Sequence, residues 1–251
     1  MEVPLEVTVR VSTRYGNIEV QEIGGRVEGV TSAGKLSFEN LKGDARGETA
    51  SGNAHLEHIA GMVSIATQSG DIHAEHIHKG ITANAVSGDV HIEHIEGGAV
   101  ECKSVSGDAN AEHIGKVAPL EITVESVSGD CHLAHAIGNI RMKAVSGDVQ
   151  AEHLSATNLQ AQTVSGSIQL NLDTPFSGMM QLNTVSGDVE TTLTEGSNAR
   201  ITLGTNSGEL SCDHPVTDKT SSTTFWAGTL GTGAGTLNVQ TISGNVQIGK
   251  A

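Results

Sequence analysis

Apolar and polar residues alternate in two short runs around a glycine that recurs along the chain. Around Gly88, Ile81 and Ala83 precede the glycine by seven and five residues, and Val90 and Ile92 follow it by two and four. A spacing of two places both members of each pair on one face of an extended strand. Each repeat therefore predicts two short strands with one buried face each.

This glycine recurs every 18–22 residues, with one later interval of 36 residues that equals two periods. The recurring glycines are Gly16, Gly34, Gly52, Gly70, Gly88, Gly107, Gly129, Gly147, Gly166, Gly187, Gly208 and Gly244. A fixed period with strand-forming units is typical of a solenoid whose coils stack on one another. We predict an all-β fold, a single-stranded parallel β-helix or β-solenoid of about 12–13 coils with 18–22 residues each. A right-handed coil is preferred, because the hexapeptide period of left-handed coils is absent.

One solenoid domain is predicted over residues 1–251, with three regions. Residues 1–50 supply the N-terminal coils, and residues 51–153 supply regular coils rich in histidine. Residues 154–251 supply coils with corner insertions and the terminal coil. That coil would expose unpaired strand edges, so we expect end-to-end self-association or coverage by the long segment 212–235.

Six of the twelve recurring glycines lie in a Ser-Gly-Asp corner. Glycine supplies the positive φ that a tight corner needs, and the Ser and Asp side chains bond to nearby backbone groups. Calcium-binding β-rolls also use Gly and Asp, but their GGxGxD pattern is missing here. We therefore interpret the column of aspartates as turn-stabilising. Its members are Asp71, Asp89, Asp108, Asp130, Asp148 and Asp188.

Composition narrows the class of protein. A formal net charge of −15 disfavours nucleic acid and anionic membrane surfaces as partners. Three cysteines without a CxxC pair predict no disulfide framework. No apolar run is long enough for an integral membrane segment. Two compartments are left open: the cytoplasm if the chain is complete, and the cell envelope or extracellular space if a targeting segment has been removed.

Most of the 12 histidines fall in two columns, one at the bend after the second strand and one on that strand's outer face. Imidazole and carboxylate groups at the spacing of a sheet could chelate Zn²⁺ between adjacent coils. Duplication of one tolerated surface residue is the interpretation we favour, with modest stabilisation from stacked side chains. The bend column, our candidate binding surface, is His58, His76, His94, His113, His135 and His153, and the alternative metal ligands are His73, Glu75, His91 and Glu93.

A second candidate binding surface is the edge where insertions accumulate after residue 153. Insertions at one corner of a solenoid often carry binding residues. Phe176, Phe225 and Trp226 lie in these insertions, in a chain whose aromatic content is only 2%. We consider these three as candidate ligand-binding residues, and a cap over the last coils is the alternative for Phe225 and Trp226.

No set of catalytic residues stands out. The repeat distributes carboxylates evenly and singles out no acid–base pair, and the GxSxG, HExxH and P-loop motifs are absent. Cys102, Cys131 and Cys212 fall at inward positions, which is typical of small core residues. We expect a protein that is not an enzyme and has no cofactor. A carbohydrate-active β-helix enzyme is the alternative, and it would require a groove with converging carboxylates.

The repeated T/A/S-V-S-G-D-V unit resembles a bacterial family of β-strand-repeat domains described as adhesins. The resemblance implies the same β-repeat fold and carries no catalytic residues, and some members of the family belong to envelope-stress systems. The Glu-His-Ile sequence that stands at four of the bends, as in 93–95, departs from the small or variable residues usual there. The segments that carry the resemblance are 85–90, 126–131, 144–149, 184–189 and, for the last coil, 233–244.

We therefore expect a non-enzymatic structural or adhesin-like binding module, a rigid repeat scaffold associated with the cell envelope. Its partner would be a protein or glycan surface. A further alternative is a metal- or pH-responsive self-assembling solenoid, because protonation of the histidines would remove most of the net charge.

Overall fold

The computed structural model describes residues 7–115 and 118–250, so residues 1–6, 116–117 and 251 of the predicted domain lie outside the described part. All regular structure in the described part is β, which confirms the predicted class. In the first half the strands are β1 (Val9–Tyr15), β2 (Ile18–Gln21), β3 (Val27–Ala33), β4 (Leu36–Leu41), β5 (Ala45–Ser51), β6 (Ala54–Ile59), β7 (Val63–Ser69), β8 (Ile72–Ile77), β9 (Ile81–Ser87), β10 (Val90–Ile95), β11 (Val100–Ser106) and β12 (Ala109–Ile114). In the second half they are β13 (Leu120–Ser128), β14 (Cys131–Lys143), β15 (Val149–Gln162), β16 (Ile168–Leu172), β17 (Met179–Asn183), β18 (Val189–Leu193), β19 (Ala199–Gly204), β20 (Leu210–Cys212), β21 (Thr217–Ser221), β22 (Phe225–Leu230), β23 (Gly235–Gln240) and β24 (Val246–Lys250).

The strands stack in two parallel ladders, one for each strand of the repeat. The first runs β1-β3-β5-β7-β9-β11-β13-β14-β15-β17-β23-β19. The second runs β2-β4-β6-β8-β10-β12-β14-β15-β16-β18-β24-β20. The long strands β14 and β15 contribute to both ladders. Parallel stacking of successive coils confirms the predicted β-solenoid, while its right hand stays a prediction.

Equivalent positions of successive coils pair in register. Val90 lies between Ile72 of the preceding coil and Ala109 of the next, and all three side chains are buried. The inward pairs predicted from the alternation form one hydrophobic core along the rod. Cys102 and Cys131 belong to this core. In-register stacking therefore turns each sequence position of the repeat into a column along the rod.

The recurring glycine has a positive φ in every coil, between 120° and 158°. At Gly88, a Cβ atom would overlap the carbonyl oxygen of Gly70 in the preceding coil. The backbone conformation and the close approach of neighbouring corners both require glycine here. The period of the sequence thus reflects a backbone contact that repeats once per coil.

Side chains on both sides of the glycine complete the corner. Asp108 Oδ1 accepts the backbone N–H of Asp130 at 2.8 Å, and Asp130 Oδ1 accepts that of Asp148 at 2.8 Å. Three residues before the glycine, Ser126 Oγ donates to the carbonyl oxygen of Gly107 at 2.9 Å. These contacts support the turn-stabilising interpretation of the aspartate column, because each carboxylate satisfies a backbone donor of the next coil.

The last repeat in the sequence is not the last coil of the rod. Its first strand, β23, pairs with β17 on one side and with β19 on the other. Its second strand, β24, lies between β18 and β20 in the same way. The coil around Gly244 is therefore inserted between the coils around Gly187 and Gly208, which differs from the sequential stacking that we predicted.

The interval of 36 residues before Gly244 holds an antiparallel segment instead of a further coil. Strand β22 pairs antiparallel with β19, and β21 pairs antiparallel with β22. This segment lies within the predicted covering segment 212–235 and covers one strand of the end coil. It also returns the chain to the position at which β23 enters the stack.

Among residues 7–115 and 118–250 we find no helical segment with the length and hydropathy that a bilayer crossing requires.

We predict that Gly88→Ala lowers the free energy of unfolding by about 1–3 kcal/mol, the usual cost of a strained backbone conformation. The reason is that the new Cβ must displace the corner of the preceding coil. The measurement is the free energy of unfolding from denaturant titration. Gly204→Ala is the matched control, because a Cβ there meets no atom within 4 Å. Equal stability of the two variants would contradict the close approach of the corners.

We also predict slow hydrogen exchange at Val246, although it lies near the end of the sequence. Its N–H donates to Glu209 O at 2.8 Å, and the adjoining Asn245 O accepts the N–H of Val189 at 2.8 Å. Because β24 is enclosed between two coils, exchange requires those coils to separate. Protection of the Val246 amide should equal that of Val189. Exchange as fast as in an unpaired chain end would refute the inserted coil.

Candidate functional site

The bend histidines share an uncommon backbone conformation. His58, His76, His94, His113, His135 and His153 have φ between 52° and 56°, in the left-handed region. Asn40 occupies the same position one coil before His58, with φ 54°. Asn and His are among the non-glycine residues that enter this region most often. The bend therefore favours this residue type for a backbone reason, before any role for the imidazole ring.

The rings of the bend column stack along the rod. Neighbouring ring centroids are separated by 4.5–4.9 Å, from His58 to His153. The rings of His94 and His113 are nearly parallel, with an interplanar angle of 1°. Parallel stacking at the spacing of a sheet follows directly from the register of the coils. The structure therefore brings all six predicted bend residues together on one surface.

A shorter column lies on the outer face of the second strand. His55, His73 and His91 stack with centroid separations of 5.3 and 5.1 Å. Asn110 follows His91 in register and separates it from His132. Burial lowers the pKa of His73, and the neighbouring His91 and His55 lower it further. The protonated form of the His73 imidazole is therefore disfavoured by its surroundings.

A column of glutamates runs between the two columns of histidines. Glu75 Oε1 lies 3.0 Å from His76 Nε2, and Glu75 Oε2 lies 3.9 Å from His73 Nε2. Glu93 repeats this pattern, with 3.2 Å to His94 Nδ1 and 3.7 Å to His91 Nε2. Glu75 and Glu93 therefore each face imidazoles of both columns. The glutamates in register are Glu39, Glu57, Glu75, Glu93 and Glu112.

Two groups on this surface bring three potential metal ligands together. In each group, formed by Glu75, His76 and His94 or by Glu93, His94 and His113, the ligand atoms lie within 4.8 Å of one another. Two imidazoles and a carboxylate are a ligand set that zinc accepts, with a fourth position for water. The predicted alternative ligands Glu75 and Glu93 belong to these groups, whereas His73 and His91 contact the other oxygen of the same glutamates. Bend histidines, rather than strand histidines, thus complete both groups.

A surface that the sequence analysis missed is a groove beside the corner glycines. Its volume is about 610 Å³, and it crosses the coils from Val30 to Val145. The residue two positions before each glycine forms one wall, and Val86, Val105 and Val127 there are exposed. An apolar residue at this outward position is visible in the repeated V-S-G unit and could have indicated the groove.

The sequence of this β-solenoid matches a known family: a family model described as Toastrack DUF4097 matches residues 5–113 and 93–249. The chain belongs to the Toastrack family. No curated protein and no solved structure matches the chain.

The two Toastrack matches overlap over residues 93–113, as expected when a repeated unit can align in more than one position. Together they cover most of the chain, including both histidine columns and the groove. The family description names a fold and no activity, so the adhesin resemblance stays a prediction.

The predicted aromatic candidates are divided between the core and the surface of the Toastrack solenoid. Phe176 is 1% exposed, and its N–H donates to Ser197 Oγ at 3.0 Å. Trp226 is 4% exposed and belongs to the same core, whereas Phe225 is 42% exposed. Phe176 and Trp226 therefore pack the insertions against the rod, and Phe225 offers the exposed ring of the three.

The cysteines of this Toastrack chain are poor nucleophiles. Burial raises the pKa of Cys131 to about 12. Burial also raises the pKa of Cys102 and of Cys212. Because the thiolate is the reactive form, these thiols stay protonated and unreactive near neutral pH.

Proposed function

We propose that this protein is a non-enzymatic, adhesin-like binding scaffold of the cell envelope that holds an uncharged glycan chain in its corner groove. The observation that carries the proposal is the groove of about 610 Å³ along the coil corners. Its walls repeat the same three positions of successive coils. A groove that repeats along a rigid rod fits a linear ligand that also repeats.

Charge along the groove favours an uncharged partner. Its charged lining residues are Glu48, Lys103, Glu125 and Lys143, two of each sign. Lys103 Nζ lies 3.2 Å from Glu125 Oε2, so part of this charge is paired within the protein. The groove is thus close to neutral on a chain whose net charge is −15. Exposed valines and the exposed polar side chains of Ser32, Gln68 and Asn84 give it both apolar and hydrogen-bonding contacts for a sugar chain.

Spacing of the carboxylates supports binding without catalysis. Glu48 and Glu125 lie in one ladder with Ala66, Asn84 and Lys103 between them, four coils apart. At about 4.8 Å per coil this is roughly 19 Å. Glycosidases place their two carboxyl groups about 5–9.5 Å apart. The groove glutamates are therefore too distant to act as one acid–base pair, which disfavours glycoside hydrolysis in this groove.

The association with the cell envelope rests on the adhesin resemblance. A solenoid that holds its surface in one fixed arrangement loses little conformational freedom when it binds, which favours attachment to extended ligands. The same rigidity suits a scaffold that positions other molecules.

We predict that the protein binds one or more uncharged glycans on a glycan array. The double variant Val105→Asp with Val127→Asp should weaken this binding at least about tenfold. Two carboxylates in the groove would have to be desolvated when the ligand binds. Both valines are exposed, so the fold should tolerate the change, and thermal unfolding verifies this. Binding is measured by biolayer interferometry on the glycans that the array selects.

Val185→Asp is the matched control, because Val185 occupies the same column with similar exposure but lies beyond the groove. It should bind like the unmodified protein. The glycan assignment would be contradicted if the protein binds no uncharged glycan on the array, or if the Val185→Asp control loses as much affinity as the double variant.

A further inference from the structure

The carboxylates of the glutamate column repel one another, because each lies next to a like charge on the neighbouring coil. Glu57, Glu75, Glu93 and Glu112 stand directly above one another in register. Like charges at neighbouring positions of a sheet destabilise it. A cation held between the carboxylates and the flanking imidazoles would remove this repulsion. The surface is therefore better suited to bind a cation than to be left without one.

One atom marks where such a cation would bind. His94 Nδ1 is shielded from solvent and makes no hydrogen bond with any described group. Glu93 Oε1 lies 3.2 Å away, but its direction does not satisfy hydrogen-bond geometry. A shielded ring nitrogen without a hydrogen bond is costly unless something else occupies its lone pair. His94 is also the residue that both three-ligand groups share.

We propose that a divalent transition-metal ion, with Zn²⁺ as the reference ion, binds at His94 through either Glu75 and His76 or Glu93 and His113. Imidazole nitrogen and carboxylate oxygen are ligands that Zn²⁺ accepts, and a water molecule completes four-coordination. Since both groups use His94, one ion is expected for each chain. This inference is independent of the glycan groove, which lies beside the corner glycines.

The geometry requires only small side-chain movements. Tetrahedral Zn²⁺ with bonds of about 2.0–2.2 Å needs ligand atoms about 3.3–3.6 Å apart. The three ligand atoms already lie within 4.8 Å of one another. A cavity of about 320 Å³ lined by His76, His94, His113 and His135 opens beside them. An ion can therefore enter from solvent, and changes in side-chain torsions can complete the site.

Neighbouring coils differ in ways that restrict the site to His94. At His135 the adjoining residue is Ala134, so the carboxylate of the pattern is absent there. His58 lies beside Glu57, with Nδ1 3.0 Å from Oε1, but belongs to neither three-ligand group. The bend column therefore repeats in sequence, but both of its three-ligand groups contain His94.

The test is Zn²⁺ titration by calorimetry on tag-free protein, with Co²⁺ absorption as a second readout of tetrahedral coordination. The unmodified protein should bind one ion, and His94→Asn should weaken binding at least about tenfold, as expected when a ligand is lost. Asn is chosen because Asn40 has the same backbone conformation in the same column. His76→Asn and His113→Asn should each retain binding through the remaining group, and the double variant should lose it.

His58→Asn is the matched control, since it removes a stacked bend histidine outside both groups. It should bind Zn²⁺ like the unmodified protein. If His94→Asn does not fold, the combined variant Glu75→Gln with Glu93→Gln replaces it, with Glu57→Gln as its control. The proposal is overturned if no metal binds, if His94→Asn binds normally, or if His58→Asn and His94→Asn lose affinity equally.

Discussion

The contact between successive corner glycines is the constraint on which the rest of the structure depends. At Gly88 and Gly107, the α-carbon of one coil lies so close to the carbonyl of the preceding glycine that no side chain fits between them. Around these glycines, Asp89 Oδ1 accepts the backbone N–H of Asp108 in the next coil, and Ser126 Oγ donates to the carbonyl oxygen of Gly107 in the preceding coil. This contact fixes how far and in which register one coil sits on the next. Parallel strand pairing and burial of the inward residues follow from that register.

Register turns a repeated sequence into continuous surfaces. The same translation that stacks Val90 on Ile72 also stacks imidazole on imidazole, carboxylate on carboxylate and exposed valine on exposed valine. Stacked apolar groups form a groove, and stacked imidazoles and carboxylates form the surface for which we propose cation binding. The two proposed binding surfaces are therefore consequences of one structural repeat, on different sides of the corner.

Much of this architecture could be predicted from the sequence, because a period of two within a period near 18 leaves few alternatives. The inward pairs and the aspartate turns depend on local geometry that every coil repeats. The position of the last coil depends instead on which of several equivalent parallel edges β23 meets, and the alternation of apolar residues does not distinguish them. The antiparallel segment β21–β22 sets that choice through long-range contacts.

The candidate site was partly predictable for a related reason. Alternation along a strand places His73 and Glu75 on one face and His76 on the other. The left-handed conformation of His76 breaks this rule and brings its ring within 3.0 Å of Glu75. The conformation of single bend residues is not encoded in the apolar pattern, so the three-residue groups that we propose as ligands became visible only in the structure. Burial of Phe176 and Trp226 likewise depends on how their insertions fold back on the rod.

In-register stacking is tested most directly by nuclear Overhauser effects between imidazole rings in histidine-labelled protein. The ring centroids of His94 and His113 lie 4.7 Å apart, and those of His135 and His153 lie 4.5 Å apart. Stacked coils predict ring-to-ring cross-peaks that connect consecutive members of the column from His58 to His153. Absence of these cross-peaks in the folded protein, or cross-peaks that connect other pairs of bend histidines, would contradict the register from which both proposed surfaces follow.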